Sequence, residues 1–214
     1  MSNHKPHEKN KTVAILMSVR DEESYLDFNI SYHLDFGFDY IFIANHCSVD
    51  NTNKILASYK NDPRVVVIEE KDPVFDHAKI SNKLLNYANA NYKIDWFTFL
   101  DADEFLSISN RSIHNFVDRL EDNGIPYATI GWANALFDYT LSDYRCSPTN
   151  PIDTTKYYYP WPEKKWQEHG HFRKAFVKNH KNMEIVVGGH YVKTENNPDF
   201  FDEYHWNPFI IPKD

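Results

Sequence analysis

Two aspartates separated by one residue follow an apolar segment near the middle of the chain. Residues 96–100 (WFTFL) end directly in Asp101-Ala102-Asp103-Glu104. Carboxylate pairs bind hard divalent cations such as Mg²⁺ or Mn²⁺, and these cations in turn bridge phosphate oxygens. The same pair also suits a helix N-cap, in which Asp101 or Asp103 accepts backbone N–H groups. Spacing alone therefore leaves a metal and diphosphate site and a solvated cap as alternatives.

Other polar residues follow the earlier apolar segments. Arg20 and Glu22 come after the first segment, and the polar stretch from Asn45 to Asp50 comes after the second. In an open α/β sheet, ligands bind beyond the carboxyl ends of the strands. No GxGxxG follows the first segment and no GxxxxGK(S/T) occurs anywhere. Dinucleotide oxidoreductases and P-loop enzymes are therefore disfavoured.

Apolar runs and helical patterns alternate through the first 125 residues, which is typical of α/β proteins. The pattern predicts strands at 13–19, 40–44, 64–68, 96–100 and 127–136, and helices at 22–36, 51–60, 77–92 and 112–120. We therefore predict a mostly parallel central sheet flanked by helices, Rossmann-like in outline.

The second half of the chain lacks clear periodicity between residues 142 and 170. A stretch of this length without regular structure is more often functional than a passive connector, so we predict a lid or acceptor loop there. Its aromatic residues at 157–166 suit either stacking on a sugar or packing under the lid. Further strands are predicted at 171–178 and 184–187, and His190 follows the latter.

Composition indicates one folded domain. The 214 residues are 42% hydrophobic and 16% aromatic, which suffices for a packed core. We predict a polar tail over residues 1–11 and a single domain over residues 12–214. A net charge of −8 is a poor footprint for a nucleic-acid binder.

The cysteines and the apolar runs bear on location. Cys47 and Cys146 have no metal-ligand spacing, which indicates a reducing compartment. The longest apolar run near the start is too short for a signal peptide or a membrane span. The sequence therefore predicts a cytoplasmic protein without a transmembrane segment, and peripheral membrane association through a partner stays open.

Two stretches together resemble glycosyltransferase family 2 proteins with the GT-A fold. The first, residues 13–52, has a basic and acidic start like an "NE" motif, then YH…G.D and S.D.T, and the second is DWFTFLDADEFL at 95–106. With lower specificity the likeness extends over RKAFV at 173–177 and GHY at 189–191, so it covers roughly residues 12–192. The ordered combination is more specific than any one motif. It implies a GT-A fold and a nucleotide-diphosphate sugar donor.

The resemblance implies a metal site. Asp101 and Asp103 would bind Mn²⁺ or Mg²⁺ together with the diphosphate of the donor. His190 matches a late histidine that often completes the metal shell or contacts the diphosphate, and His205 is the alternative to it.

The resemblance also implies residues near the nucleotide and its diphosphate, with Glu22 and Asp50 lining the nucleotide pocket. The full set is Arg20, Glu22, Asn45, Asp50, Asp101, Arg173 and Lys174. Family members often carry Asp near the position of Asn45, which leaves the base and ribose contacts open. A UDP-sugar is favoured on the habit of the family.

The implied activity is a metal-dependent transfer of a sugar to a glycan or another hydroxyl acceptor, as in surface glycan synthesis. Inversion, which is usual in family 2, needs a carboxylate that removes the acceptor proton. Four candidates stay open: Glu104, Asp138, Asp143 and Glu168. Asp138 and Glu168 are better placed if residues 137–170 frame the acceptor.

Two other classes of function are retained as alternatives. A non-catalytic, glycosyltransferase-like module that binds carbohydrate or a partner is favoured by Asn45 and by the modest length. A metal-dependent phosphohydrolase on the same kind of sheet would release free sugar without preference for an acceptor. His33 and His77 are predicted to be structural.

Overall fold

The computed structural model describes residues 11–108, 112–131, 133–137, 155–160, 173–180, 182–186 and 189–194. Four residues with predicted roles lie outside these ranges: Asp138, Asp143, Glu168 and His205. Most of the predicted lid at 142–170 also lies outside them.

Strands and helices alternate along the first half of the chain. The elements are β1 (Val13–Val19), α1 (Leu26–Asp35), β2 (Tyr40–His46), α2 (Thr52–Ser58), β3 (Val65–Glu70), α3 (His77–Asn91), β4 (Trp96–Phe99), α4 (Ile113–Asp122), β5 (Tyr127–Gly131), β6 (Ala133–Phe137), β7 (Thr155–Pro160), β8 (Arg173–Lys178), β9 (Glu184–Val186) and β10 (Tyr191–Lys193). Six strands form one sheet in the order β3-β2-β1-β4-β8-β5. The first four are parallel, whereas β8 runs antiparallel to β4 and β5. The predicted α/β class with a mostly parallel sheet is confirmed.

The central strands are apolar on both faces because helices cover both faces. In β1, Ile15 and Met17 belong to the core that includes α1 and α4, while Leu16 packs with Leu84 of α3 in a second core. Continuous apolar runs of this kind are typical of buried parallel strands. The packing places the carboxyl ends of β1, β2, β3 and β4 at one edge of the sheet.

Two predictions for the second half are wrong. The segment 127–136 is not one strand, because β5 pairs with β8 in the main sheet while β6 pairs with β7 in a separate two-stranded sheet. β7 also lies inside the stretch predicted to lack regular structure. Its sequence, TKYYYP, is rich in residues that favour strands, but only the distant partner β6 supplies its hydrogen bonds.

The helix predicted at 22–36 begins only at Leu26. The backbone N–H groups of residues 21–23 donate to side chains between β2 and the start of α2, and that of Glu22 donates to Thr52 Oγ1 at 2.8 Å. None of the helices within the described ranges is long and apolar enough to cross a membrane.

Candidate functional site

The loop after β4 is a tight turn that carries the predicted metal-binding aspartates. The backbone N–H of Asp101 donates to Glu104 Oε2 at 2.9 Å, and the backbone N–H of Glu104 donates back to the Asp101 carbonyl at 3.0 Å. These reciprocal bonds resemble a capping box. Asp103 lies between these two residues and is exposed.

Helix α1 holds this loop by its backbone carbonyls. Asn29 is fully buried, and its Nδ2 donates to the carbonyls of Ala102 and Glu104 at 2.8 Å each. His33 Nε2 accepts the N–H of Leu106 at 3.2 Å, so Nδ1 carries the proton and donates to Asn29 at 2.9 Å. Burial lowers the pKa of His33 to about 4. The structural role predicted for His33 is confirmed.

Lys174 of β8 lies between the two ends of the turn. Its side chain is 2% exposed, and Nζ lies 2.8 Å from Asp101 Oδ2 and 3.3 Å from Glu104 Oε2. The other oxygen of Asp101, Oδ1, lies 3.5 Å from His77 Nε2. Burial raises the pKa of Asp101, but the hydrogen bond from His77 and the charge of Lys174 outweigh it and hold the pKa well below its usual range. Asp101 is therefore an anion already held by protein groups.

Glu22 and Asp103 are acids of a different kind. Within the described residues, neither carboxylate has a hydrogen-bond or ion-pair partner. Burial raises the pKa of Glu22, and the negative charges of Asp103 and Asp101 raise it further. Two unpaired carboxylates suit a hard cation that keeps water and phosphate oxygens as its other ligands. No cluster of three His, Cys, Asp or Glu ligands occurs in the part of the chain that the structure describes.

Asp50 holds two loops together. Its carboxylate accepts the backbone N–H groups of Glu23 at 3.0 Å and Thr52 at 2.9 Å. Conversely, Asp21 Oδ1 in the loop after β1 accepts the N–H of Val49 in the loop after β2 at 2.7 Å. These bonds join the loop after β1 to the loop after β2 and thereby fix the backbone that carries Glu22. The nucleotide contact expected of Asp50 stays a prediction.

The end of β2 buries two hydrogen-bond acceptors that have no partner in the described structure. Asn45 Nδ2 donates to Asn53 Oδ1 at 2.6 Å and to Glu69 Oε2 at 3.1 Å, which fixes the amide and leaves Oδ1 buried and unpaired. His46 Nε2 donates to the Asp72 carbonyl at 2.6 Å, and its buried Nδ1 is likewise unpaired. A ligand with N–H groups would satisfy such acceptors.

An aromatic row connects these acceptors with the loop after β4. The rings of His46 and Phe75 have centroids 5.2 Å apart, and those of Phe75 and His77 5.8 Å apart. Phe75 is 49% exposed, which leaves much of its ring available for stacking. His46 and Phe75 carried no sequence signal beyond their positions near strand ends, and His77 was expected to be structural.

Three further predicted site residues, Arg20, Arg173 and His190, lie in the described structure. Arg20 is exposed just after β1, and Arg173 lies in β8 at the same edge of the sheet as the turn. His190 follows Gly189, whose φ is +70°. A Cβ on Gly189 would lie 2.3 Å from the Cβ of Phe99, so this turn packs directly against the end of β4. Metal binding by His190 stays a prediction.

Comparison with known proteins identifies a family. The family model for glycosyltransferase family 92 matches residues 16–197. No curated protein matches the sequence.

Solved structures show weaker likenesses. The chain is similar to S. aureus TarS 1-349 in complex with UDP-GlcNAc, at 15% identity and a TM-score of 0.46, over 56% of this chain and 33% of that chain. It is also similar to glucosyl-3-phosphoglycerate synthase from Mycobacterium tuberculosis in complex with Mn²⁺, UDP and glucosyl-3-phosphoglycerate, at 14% identity and a TM-score of 0.36, over 59% and 49% of the two chains. The match therefore spans about a third of the S. aureus chain.

Proposed function

This chain belongs to glycosyltransferase family 92, and from that premise we propose that it transfers a sugar from a nucleotide-diphosphate donor to a hydroxyl acceptor. The observation that carries the proposal is that one edge of the sheet holds two carboxylates without partners among the described residues, Glu22 and Asp103, and two unpaired acceptors at the end of β2. One part of this edge suits the cation that accompanies a diphosphate, and the other suits a base.

The cation of the proposal is Mn²⁺ or Mg²⁺, held by Asp103 and Glu22 and otherwise by water and phosphate oxygens. His190, the further ligand expected from the sequence, forms no three-residue cluster with them within the described residues. When bound, the cation would stabilise the negative charge that grows on the departing nucleoside diphosphate. Asp101 contributes negative charge nearby, but Lys174 and His77 already engage its oxygens. Arg173, which begins β8 at the same edge, is a further diphosphate contact expected from the sequence.

The nucleotide of the proposal is a uridine diphosphate. Asn45 Oδ1 and His46 Nδ1 are acceptors, and uracil offers an N–H at N3 where cytosine offers another acceptor. Phe75 supplies an exposed aromatic face beside them for the flat ring. Arg20 and Asp50 flank this region on the adjoining loops. Guanine also carries N–H donors, so GDP belongs in the test.

The proton acceptor of an inverting reaction would be Asp138 or Glu168. Glu104 is the weaker candidate because its Oε2 already accepts the N–H of Asp101 and faces Lys174. Transfer to a glycan, work in surface glycan synthesis, cytoplasmic location and peripheral attachment to a membrane are predictions from the sequence that accompany this proposal.

The proposal is tested by ligand-dependent melting and by turnover. UDP and Mn²⁺ together should raise the melting temperature far more than either alone, by about 5–10 °C at a hundred times the dissociation constant. Asp103→Asn should abolish this joint effect and reduce transfer from a UDP-sugar by about a hundredfold or more, whereas Asp118→Asn on the exposed face of α4 should change neither.

Other outcomes would favour the other classes of function. If no nucleoside diphosphate shifts the melting curve with Mn²⁺ or Mg²⁺, the donor site is wrong and the binding-module hypothesis gains. Release of free sugar without any acceptor preference would instead favour the phosphohydrolase.

A further inference from the structure

We propose that Lys174 is a positioning residue of the donor site. Its ammonium group holds Asp101 and Glu104, so that Asp103 is the carboxylate of the turn left facing the donor. This inference rests on the proposed function, because it assigns Lys174 a task in the site where the nucleotide and cation would bind.

The sheet register places Lys174 opposite the end of β4. In the antiparallel pair, Thr98 of β4 lies opposite Phe176, and Thr98 Oγ1 donates to the Ala175 carbonyl at 3.1 Å. Lys174 lies two residues earlier in β8, level with the place where β4 passes into the turn 101–104. The side chain thus comes from a strand of the main sheet, which holds it in place more firmly than a loop would.

Lys174 is buried, so its charge must be compensated by the carboxylates beside it. A buried ammonium group is costly unless carboxylates compensate it, and here two carboxylates lie at 2.8 and 3.3 Å. Lys178, four residues later on the same strand, offers a contrast: it pairs with Glu121 at 2.7 Å, yet its side chain is 39% exposed. A surface pair of that kind contributes little. Both lysines lie on β8, carry the same charge and pair with a carboxylate, but only Lys174 is buried.

The contacts give the acids of the turn different roles. Lys174 and His77 face the two oxygens of Asp101, and Lys174 also draws in Glu104, whose Oε2 closes the turn. Asp103 has no such partner among the described residues. Without the ammonium group, nothing would draw the side chains of Asp101 and Glu104 together, and the position of Asp103 would no longer be defined.

The experiment measures UDP affinity by titration calorimetry with and without Mn²⁺, in the wild-type protein and in three single variants. Mn²⁺ should tighten UDP binding to the wild type by about fiftyfold, within the usual range for coupled ligands. Lys174→Met should reduce this coupling to about fivefold or less, and Lys174→Arg, which keeps the charge, should restore part of it. Lys178→Met, the matched control, should leave it unchanged.

A second variant covers the case in which Lys174→Met does not fold. Lys174→Met/Glu104→Gln removes one of the two carboxylates beside the ammonium group, and the glutamine can still accept the N–H of Asp101. We expect this protein to fold and to lose the coupling. A merely structural role would lower its melting temperature while leaving the ratio of the two UDP affinities intact.

The outcomes distinguish failure of the role of Lys174 from failure of the proposed function. A folded variant that lacks the ammonium group and keeps the wild-type coupling overturns the role of Lys174 alone. Tighter Mn²⁺ binding in Lys174→Met also overturns it, because the ammonium would then compete with the cation for Asp101. Absence of UDP binding to the wild type with Mn²⁺ overturns the proposed function itself, and the inference with it.

Discussion

The loops after β4 and after β2 lie at the same edge of the sheet, yet they treat their buried polar groups in opposite ways. After β4, Asn29 and His33 satisfy the backbone of the loop from helix α1. After β2, Asn45 Oδ1 and His46 Nδ1 are buried without a partner in the described structure. A satisfied network makes a region rigid, whereas an unsatisfied buried group is costly until something completes it.

This difference assigns the two loops different tasks. The backbone of the loop after β4 has its hydrogen-bond partners without a ligand, so the carboxylate of Asp103 extends from a fixed turn. At the end of β2, Asn45 Oδ1 and His46 Nδ1 lack partners among the described residues, and the proposed function assigns them to the nucleotide. Changes in the first loop should therefore act on folding stability, and changes at the end of β2 should act on ligand affinity.

The largest effect is expected from Asn29→Ala. This change leaves the carbonyls of Ala102 and Glu104 without Asn29 Nδ2, and each buried group left unsatisfied costs about 1–3 kcal/mol. The Nδ1–H of His33 keeps the backbone carbonyl of residue 29 as its acceptor. We expect the free energy of unfolding, measured in urea, to fall by about 4 kcal/mol.

Asn123→Ala is the matched control for this change. Asn123 Nδ2 also donates to a backbone carbonyl, that of Arg119 at 2.7 Å, but it is exposed. Its loss should cost less than about 1 kcal/mol. Similar losses in both variants would contradict the view that the loop after β4 is a rigid, buried network.

The next effect is a pH dependence carried by His33. Burial lowers its folded pKa to about 4 from an ordinary value near 6.5. The unfolded chain therefore binds the proton first as the pH falls, so the stabilisation is complete above about pH 6.5 and is lost on the way down through pH 4. The expected total is about 3 kcal/mol.

This pH dependence is measured against a variant without the imidazole. The stability difference between the wild type and His33→Gln should shrink as the pH is lowered from 7 to 4. A difference that stays constant over that range would show that His33 titrates normally and that the loop after β4 is more open than its contacts indicate.

The smallest effect is expected at the end of β2, and it concerns affinity. His46→Phe keeps a ring against Phe75 but removes the unpaired Nδ1 acceptor together with the Nε2 hydrogen bond to the Asp72 carbonyl, so UDP binding should weaken by about tenfold, or about 1.4 kcal/mol. Ala substituted for the neighbouring exposed Cys47 should leave UDP affinity unchanged. Unaltered UDP binding in His46→Phe would remove this residue from the base site.

The resemblance found in the sequence indicated a glycosyltransferase family, but not the one that the comparison identifies. It pointed to glycosyltransferase family 2, whereas the family match is to family 92. Among the site residues, Asp101 and Asp103 were predicted from their position after an apolar strand, and Glu22 from its position after another; their roles stay predictions. Asn29 was missed because a buried asparagine within a helix has no local pattern that distinguishes it from an exposed one.

The sequence by itself determined the alternation of strands and helices and the acids that follow β4, because apolar periodicity is a local property of the chain. It also determined that parallel strands would collect their polar ends at one edge. Only the tertiary structure decided that β8 enters the sheet antiparallel beside β4, which brings Lys174 to Asp101 across 73 residues of chain. Only packing decided that Asn29 and His33 would reach the same loop across a similar distance. Strand direction and helix packing depend on partners distant in sequence, and the pattern of one segment does not specify them.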